Sequence, residues 1–329
     1  MERTSWRRRD FVRAAALSAG GVTGLSVLPG NAWAATSGPK VVAETWLSGR
    51  LLELTVDSPA MERVMKARLI VPRDWSREAE RRWPVLYLFH GGSDDCTAWT
   101  RDTDIEALSE QYGVLVVMPD GGKAGGYTDW WYGGRGGAPR WETHHLVEIR
   151  GLLERRYRAG SRRAAAGLST GGYGALAYSA RHPGMFRYAA AYSGYAATLL
   201  PGIGQILWVG IPSTGLEPVD MWGPFDNTAV WRSHDPYSLA KRLRHTGLYV
   251  SCSMSGLPGP LDTLPFLDVT EMTIYYTLKP FAALLKSLRI PVTTHFYERG
   301  SHTWPYFQRE LHNSWPMIMR ALGAGPRRR

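Results

Sequence analysis

Residues 163–181 read RAAAGLSTGGYGALAYSAR and contain three different patterns in a short span. The short apolar run Arg163–Leu168 is typical of a strand that is buried on both faces. A helical pattern occupies Gly172–Arg181. Between them, GLSTG at 167–171 carries two glycines that permit a crowded turn. The span therefore predicts a strand, a tight turn and a helix, with Ser169 exposed at the turn.

Apolar runs and helical patterns alternate along most of the chain. Further strands are predicted at Val85–Phe89, Val114–Met118, Tyr188–Tyr192, Leu248–Ser251 and Val292–Tyr297. Further helices are predicted at Asp102–Tyr112, Glu142–Tyr157, Glu271–Leu288 and Trp304–Leu322. This order predicts an α/β fold of the α/β-hydrolase type, with a mainly parallel, doubly wound sheet and helices on both faces. Residues 50–72 alternate in polarity, which indicates antiparallel strands at one edge of the sheet.

Two further parts of the chain depart from this alternation. Residues 196–246 scatter Gly, Pro and Trp without a clear period, and we expect them to form an insertion that caps the sheet. The first 34 residues combine Arg7-Arg8-Arg9, an apolar stretch and the ending Ala32-Trp33-Ala34. They are predicted to be a twin-arginine signal peptide, the alternative being a basic N-terminal anchor. Residues 35–329 would then be a single exported catalytic domain without a stable membrane span.

Charge and cysteine content restrict the partners. The chain carries a formal net charge of +10, and its first 34 residues hold five arginines against Glu2 and Asp10, so the rest keeps about +7. No basic helix or RNA-type aromatic motif accompanies this charge, so we expect no nucleic-acid partner. With only Cys96 and Cys252, the chain could form one disulfide or none.

A serine nucleophile needs a base that removes its proton and an acid that orients the base. In this fold the three follow the chain order serine, acid, histidine. Three histidines lie late enough in the chain, namely His295, His302 and His312. His302 is favoured because it falls in a loop between the last predicted strand and the last predicted helix. The acid should follow the strand at 248–251, where Asp262, Asp268 and Glu271 are not separable by spacing.

Acyl transfer also needs two N–H donors for the carbonyl oxygen that becomes negative. One should be Thr170, directly after the nucleophile. The other should come from HGGS at 90–93, which follows a core strand, and Gly91 is the predicted donor. No His, Cys, Asp or Glu group has metal-ligand spacing, because His144 and His145 are adjacent on a helix. We therefore expect neither a metal nor a cofactor.

Several longer motifs resemble the antigen 85 mycolyltransferase and esterase D superfamily. They are YTDW at 127–130, WET at 141–143, the turn at 167–171, MWGP at 221–224, HDP at 234–236 and SHTWPY at 301–306. The resemblance implies Ser169 as nucleophile, His302 as base and Glu271 as acid, with Asp268 as second choice. It also implies Trp222, Trp304 and His90 as substrate-binding residues. Where trehalose mycolyltransferases have Asp-Gly and then an Arg, this chain has His90-Gly91 and Ser93, a form that resembles the esterase D branch.

The sequence thus predicts an exported serine esterase or acyltransferase. It would take an acyl group from an ester donor and pass it to water or to a sugar or lipid hydroxyl. The alternative is a non-catalytic member of the same family that binds cell wall or matrix. Sequence alone does not separate hydrolase from transferase, and it gives neither the acyl chain, the acceptor nor the oligomeric state.

Overall fold

The structure is a computed structural model that describes residues 38–208 and 216–326. The predicted signal peptide lies outside the described residues. Within these described residues, nine strands form one sheet in the order β1-β2-β3-β5-β4-β6-β7-β8-β9. The strands are β1 (Lys40–Trp46), β2 (Leu51–Ser58), β3 (Arg63–Ile70), β4 (Trp83–Phe89), β5 (Leu115–Pro119), β6 (Ala159–Leu168), β7 (Tyr188–Tyr192), β8 (Gly247–Ser253) and β9 (Thr293–Tyr297).

The α-helices of the described residues alternate with the strands along the chain. They are α1 (Ala98–Asp102), α2 (Ile105–Leu108), α3 (Trp141–Thr143), α4 (Arg150–Arg156), α5 (Thr170–Arg181), α6 (Ile203–Trp208), α7 (Pro218–Trp222), α8 (Thr228–His234), α9 (Val269–Ser287) and α10 (Trp304–Leu322). A π-helical stretch, His144–Ile149, joins α3 to α4. None of the helices within 38–208 and 216–326 has the length and apolar character that a bilayer crossing requires.

Strand direction confirms the predicted fold class. The six strands β4 to β9 are mutually parallel, whereas β1, β2 and β3 pair antiparallel and β3 joins β5 antiparallel. The chain leaves β4 for β5 on one side and then places β6 on the other side. Such a reversal of strand order opens a crevice at the carboxyl ends of the strands, where α/β proteins bind ligands.

Helices cover both faces of the sheet, as alternate residues of β6 illustrate. Ala164 and Ala166 face a cluster with α10, α1 and α2, which includes Trp99, Leu311 and Trp315. Ala165 faces the opposite layer with the helix α4. On that layer α5 and α9 also pack against β7 and β8. Each central strand is therefore buried on both sides, and this explains its continuous apolar sequence.

Two predicted elements differ in detail. The helix predicted at Asp102–Tyr112 is instead the short pair α1 and α2, because Thr103 takes an extended conformation between them (φ −140°, ψ 170°). The described parts of the segment 196–246, residues 196–208 and 216–246, contain α6, α7 and α8, and α8 packs beside α5. The Tyr173 hydroxyl of α5 donates to the His234 carbonyl at 2.7 Å.

Candidate active site

Ser169 occupies a strained turn between β6 and α5. Its backbone has φ 53° and ψ −124°, a region that L-residues rarely adopt. The Ser169 N–H donates to the Tyr192 carbonyl at 2.9 Å, and its carbonyl accepts from the Tyr173 N–H at 3.0 Å. These bonds anchor the turn to β7 on one side and to α5 on the other.

The two glycines of the turn are required by close backbone contacts. A Cβ atom at Gly171 would lie 2.3 Å from the His90 carbonyl oxygen. A Cβ atom at Gly167 would lie 2.4 Å from the Gly171 carbonyl oxygen. Any larger residue would push the turn away from the loop after β4. The glycines therefore hold the serine against that loop.

His302 lies in the loop between β9 and α10, as its sequence position predicts. Its Nδ1 is 2.7 Å from Glu271 Oε1, and its backbone N–H donates to Asp268 Oδ2 at 2.6 Å. An ionised carboxylate can accept hydrogen bonds but cannot donate one. Nδ1 must therefore carry the imidazole proton and donate it to Glu271. Nε2 is then the nitrogen that can take a proton from a nucleophile.

Glu271 and Asp268 have separate contacts. Glu271 is fully buried, and its second oxygen, Oε2, accepts from the Ser253 N–H at the end of β8 at 2.6 Å. Asp268 caps α9 by accepting from the N–H groups of Thr270 and Glu271. Only Glu271 contacts the imidazole ring, whereas Asp268 holds the backbone of His302. The sequence signal for this arrangement is Asp268-Val269-Thr270-Glu271, which has the spacing of a helix start.

The other two late histidines have different partners. His295 on β9 contacts Glu310 at 2.8 Å, and His312 on α10 contacts Asp104 at 2.8 Å. Among the three, His302 alone joins a buried carboxylate at the carboxyl edge of the parallel strands. Ser169 follows β6 at this same edge. The sheet thus collects the predicted nucleophile, base and acid from three strand ends.

Three backbone N–H groups lie free around Ser169. Within the described parts of the chain, those of Gly91, Gly92 and Thr170 make no hydrogen bond. Gly91 is next to the nucleophile, since a Cβ atom placed on it would lie 3.3 Å from Ser169 Cβ. Gly92 is next to Thr170 in the same way, at 3.8 Å from Oγ1. Gly92, which sequence reasoning missed, is therefore a donor candidate beside the predicted Gly91 and Thr170.

His90 is buried and supports this loop, and its contact with substrate stays a prediction. Its Nε2 accepts from the Gly121 N–H at 2.7 Å, so Nδ1 carries the proton and donates to the Gly91 carbonyl at 2.7 Å. The Tyr127 hydroxyl donates to the His90 carbonyl at 2.7 Å. Because a trans peptide points its N–H away from its C=O, fixing the Gly91 carbonyl also fixes the direction of the Gly92 N–H.

An aspartate and a second histidine extend the support beneath this loop. Burial disfavours ionisation of Asp120, but the pKa of this carboxyl is lowered, and the Gly122 N–H, which donates to its Oδ1 at 2.8 Å, contributes to this. The His145 ring contacts the Asp120 carbonyl at 2.8 Å and the Tyr178 hydroxyl at 2.9 Å. Burial, with the charge of His144, lowers the pKa of His145 to about 3. His145 is therefore a neutral structural group at physiological pH.

The two predicted substrate-binding tryptophans have different surroundings. Trp222 is 1% exposed, packs at 4.9 Å from the Trp231 ring and donates its indole N–H to Thr128. The Trp222 side chain therefore packs in the core, and its contact with substrate stays a prediction. Trp304 is partly exposed and packs edge-on against Trp99 and Phe307. Trp304 remains a candidate for substrate contact.

Cysteines and metal ligands take no visible part in the site. Cys96 and Cys252 are both buried and unpaired, so no disulfide joins them. Burial also raises the pKa of the Cys252 thiol well above its usual value. In the part of the chain that the structure describes, no group of three or more His, Cys, Asp or Glu side chains could hold a metal ion.

A cavity of about 980 Å³ borders the loop after β4 at Ser93. Its walls carry both signs of charge, from Asp94, Arg101 and Lys123 among others. The Ser93 N–H donates to the Lys123 carbonyl at 2.7 Å, which ties the loop to one wall of the cavity. Its lining does not include Gly91, Gly92, Ser169, Thr170 or His302, so the cavity adjoins the loop after β4 without containing the catalytic groups.

Comparisons with known proteins show the family of the chain. A family profile described as "Putative esterase" matches residues 58–317. The diacylglycerol acyltransferase/mycolyltransferase Ag85A of Mycobacterium tuberculosis is 30% identical over 287 residues, which cover 83% of this chain and 82% of that protein. The Ag85B protein of Mycolicibacterium smegmatis is 31% identical over 339 aligned positions, covering 98% of each chain.

Solved structures show the same fold at lower identity. MPT51 of Mycobacterium tuberculosis superposes with a TM-score of 0.68 at 24% identity, covering 82% of this chain and 97% of that one. An S-formylglutathione hydrolase from Agrobacterium tumefaciens gives a TM-score of 0.67 at 16% identity, covering 86% and 99%. At these identities the likeness concerns the fold alone.

Proposed function

The chain belongs to the esterase family that includes the antigen 85 acyltransferases, and from this premise we propose that it is an exported serine enzyme working through an acyl-enzyme on Ser169. The family makes it an esterase or acyltransferase. The observation that carries the serine mechanism is the 2.7 Å contact between His302 Nδ1 and the buried carboxylate of Glu271. Export is supported by the twin-arginine pattern in the first 34 residues.

In the first half-reaction, His302 Nε2 takes the proton of Ser169 Oγ while the oxygen attacks the ester carbonyl. The Glu271 carboxylate stabilises the imidazolium that forms and keeps its orientation. The carbonyl oxygen becomes negative and accepts hydrogen bonds from the Thr170 N–H and from Gly91 or Gly92. The intermediate then collapses, His302 gives its proton to the leaving alcohol, and the acyl group remains on Ser169.

In the second half-reaction, a hydroxyl group or water attacks the acyl-enzyme. His302 again acts as base and Ser169 leaves with the returned proton. Two relatives that align over most of the chain are named diacylglycerol acyltransferase/mycolyltransferase, and these names support transfer to a hydroxyl group. We therefore favour transfer to a hydroxyl compound when one is bound, with hydrolysis as the competing outcome.

Ester hydrolysis is the direct test of the mechanism. The wild-type protein should hydrolyse a p-nitrophenyl ester with an initial burst, and Ser169→Ala should lose about 10³-fold or more of the rate. Equal rates at background level in both proteins would favour the non-catalytic member of the family. Product analysis with a long-chain acyl donor, with and without a sugar acceptor, then distinguishes transferase from hydrolase.

A further inference from the structure

Residues 254–276, called here the apolar segment, run from the end of β8 into the first turns of α9. Nine of the seventeen exposed large apolar side chains in the described chain lie in these 23 residues. Leu264 and Phe266 are the extreme pair within its loop, at 63% and 70% exposure. Single exposed apolar residues are ordinary, but a cluster of this size marks an interaction surface.

The first turns of α9 extend this surface beyond the loop. Val269, Met272 and Tyr276 are exposed and lie three and four positions apart, so they share one face of the helix. The opposite face buries Ile274 and Leu278 against the core. The start of the helix is therefore apolar on the face that contacts the protein and on the face that contacts solvent. Packing within the chain explains the apolar character of the buried face only.

The charged groups of the apolar segment all have hydrogen-bond partners within the protein. They are Asp262, Asp268 and Glu271. Asp262 accepts from the Gly259 N–H at 2.7 Å and from the Tyr306 hydroxyl at 3.0 Å. Asp268 and Glu271 are engaged by α9 and His302, as described above. Because each carboxylate already has hydrogen-bond partners within the protein, entry of the outer face into an apolar medium would leave none of them without a partner.

The apolar segment also borders the catalytic groups. The Gly300 N–H, two residues before His302, donates to the Leu257 carbonyl at 2.7 Å. Asp268 binds the His302 backbone directly. A surface that held the segment would therefore lie next to the base and acid of the site.

We propose that the apolar segment docks this protein on an anionic lipid surface. The charge fits this occupant, because residues 35–329 carry about +7 and the cations Lys279 and Arg299 flank the segment. A second copy of the chain would bring the same positive charge to the contact, which disfavours self-association. Docking does not depend on catalysis, but its use in reaching lipid-held esters rests on the proposed function.

Vesicle binding of the full chain tests the proposal. The vesicles are equal parts phosphatidylglycerol and phosphatidylcholine, compared with phosphatidylcholine alone. The variant Leu264→Asn/Phe266→Asn should lower the partition coefficient at least about tenfold. The matched control Trp46→Asn/Leu47→Asn removes an exposed aromatic and an exposed leucine from the β1–β2 hairpin, and it should stay within about twofold of wild type.

Both variants should hydrolyse soluble p-nitrophenyl acetate at the wild-type rate, which shows that they are folded, and Ser169→Ala should bind vesicles like wild type. Equal vesicle binding by the loop variant and wild type overturns the proposal. So does a wild-type dimer that the loop variant dissociates, without vesicle binding. Loss of all ester hydrolysis with retained vesicle binding would instead contradict the proposed function and leave docking intact.

Discussion

Glu271 and Asp268 both contact His302, but Glu271 binds its ring and Asp268 binds its backbone. In Glu271→Gln the side-chain amide can donate to Nδ1 and hold the imidazole in the wrong tautomer. We expect kcat to fall roughly 10²- to 10⁴-fold. Steady-state kinetics on a soluble ester measures this directly.

Asp268→Asn is the matched control for this substitution. It removes the same charge three residues away, and its one amide oxygen can keep either the cap of α9, made by Oδ1 in Asp268, or the bond from the His302 N–H, accepted by Oδ2. We expect kcat within about tenfold of wild type. A larger loss of kcat in Asp268→Asn than in Glu271→Gln would mean that Asp268, and not Glu271, is the catalytic acid.

His90→Ala should impair catalysis without impairing substrate binding. The substitution releases the Gly91 carbonyl, so the N–H donors of this loop are no longer aimed at the oxyanion. We expect kcat to fall about 10- to 100-fold with KM within about threefold. His312→Ala, which removes an exposed imidazole on α10, should leave both constants unchanged. A rise in KM alone would indicate that His90 contacts substrate after all.

At the residue scale, the sequence predicts the chemical role of a side chain better than it predicts which groups that side chain packs against. Ser169 and His302 follow from chain order and from loops that flank recognisable strands. Glu271 and Asp268 are not separable that way, because three positions at a helix start place both near the same loop. A motif alone predicts that Trp222 contacts substrate, and nothing in its residue type indicates that its indole packs against Trp231 in the core.

At the scale of elements, the β6, turn and α5 unit leaves no space for a side chain at Gly171. Gly171→Ala would place a methyl group 2.3 Å from the His90 carbonyl and 2.5 Å from that of Phe89. We expect a loss of about 1–3 kcal/mol or more in the free energy of unfolding, together with loss of ester hydrolysis. Urea denaturation and kinetics on the same protein would measure both effects.

Gly49→Ala is the control for the glycine substitution, because no atom lies within 4 Å of a Cβ placed there. Its stability should stay within about 1 kcal/mol of wild type. Equal stabilities for the two variants would mean that the turn can relax, and would weaken the assignment of a fixed elbow.

The elements that sequence predicted well are those with strong periodicity. The helix predicted at Trp304–Leu322 has the observed bounds, since its apolar stripe is long and a proline occupies its first turn. Asp102–Tyr112 carries a weaker stripe, and the break at Thr103 depends on a local backbone conformation that composition does not signal. The π-helical stretch at His144–Ile149 has the same apolar pattern as an α-helix, so sequence could not distinguish it.

For the whole molecule, buried neutral histidines predict a loss of stability in mild acid. The pKa of His145 is lowered to about 3 and that of His234 to about 4, mainly by burial, from an ordinary 6.5. Below about pH 6.5 the unfolded chain therefore binds protons that the folded chain excludes, and the free energy of unfolding falls as pH falls. From pH 7 to pH 5 each histidine contributes roughly 2 kcal/mol of this loss.

Urea unfolding of wild type and His145→Gln at pH 7, 6 and 5 checks the contribution. As pH falls, the free energy of unfolding of wild type should decrease more steeply than that of the variant. The difference in slope should correspond to about one proton bound on unfolding. Carboxylates that titrate in acid affect both proteins alike and cancel in the comparison. Parallel curves would show that His145 is protonated in the folded state.

The global arrangement was predictable because strand order and direction follow from simple rules. Alternating strands and helices require a parallel sheet, and a parallel sheet collects loops at its carboxyl edge. The position of 196–246 was less predictable, since its packing beside α5 depends on contacts such as that of Tyr173 with His234. Those contacts join residues far apart in sequence and leave no local pattern.

The positive φ of Ser169 implies that catalytic activity and thermal stability make conflicting demands on this position. Holding an L-residue at φ 53° and ψ −124° costs on the order of 1–3 kcal/mol, which glycine would largely avoid. Ser169→Gly should therefore melt at a higher temperature than wild type while losing the nucleophile. A screen of random variants for heat resistance alone would enrich proteins that have abandoned the reaction, so any stabilisation of this enzyme must select for turnover at the same time.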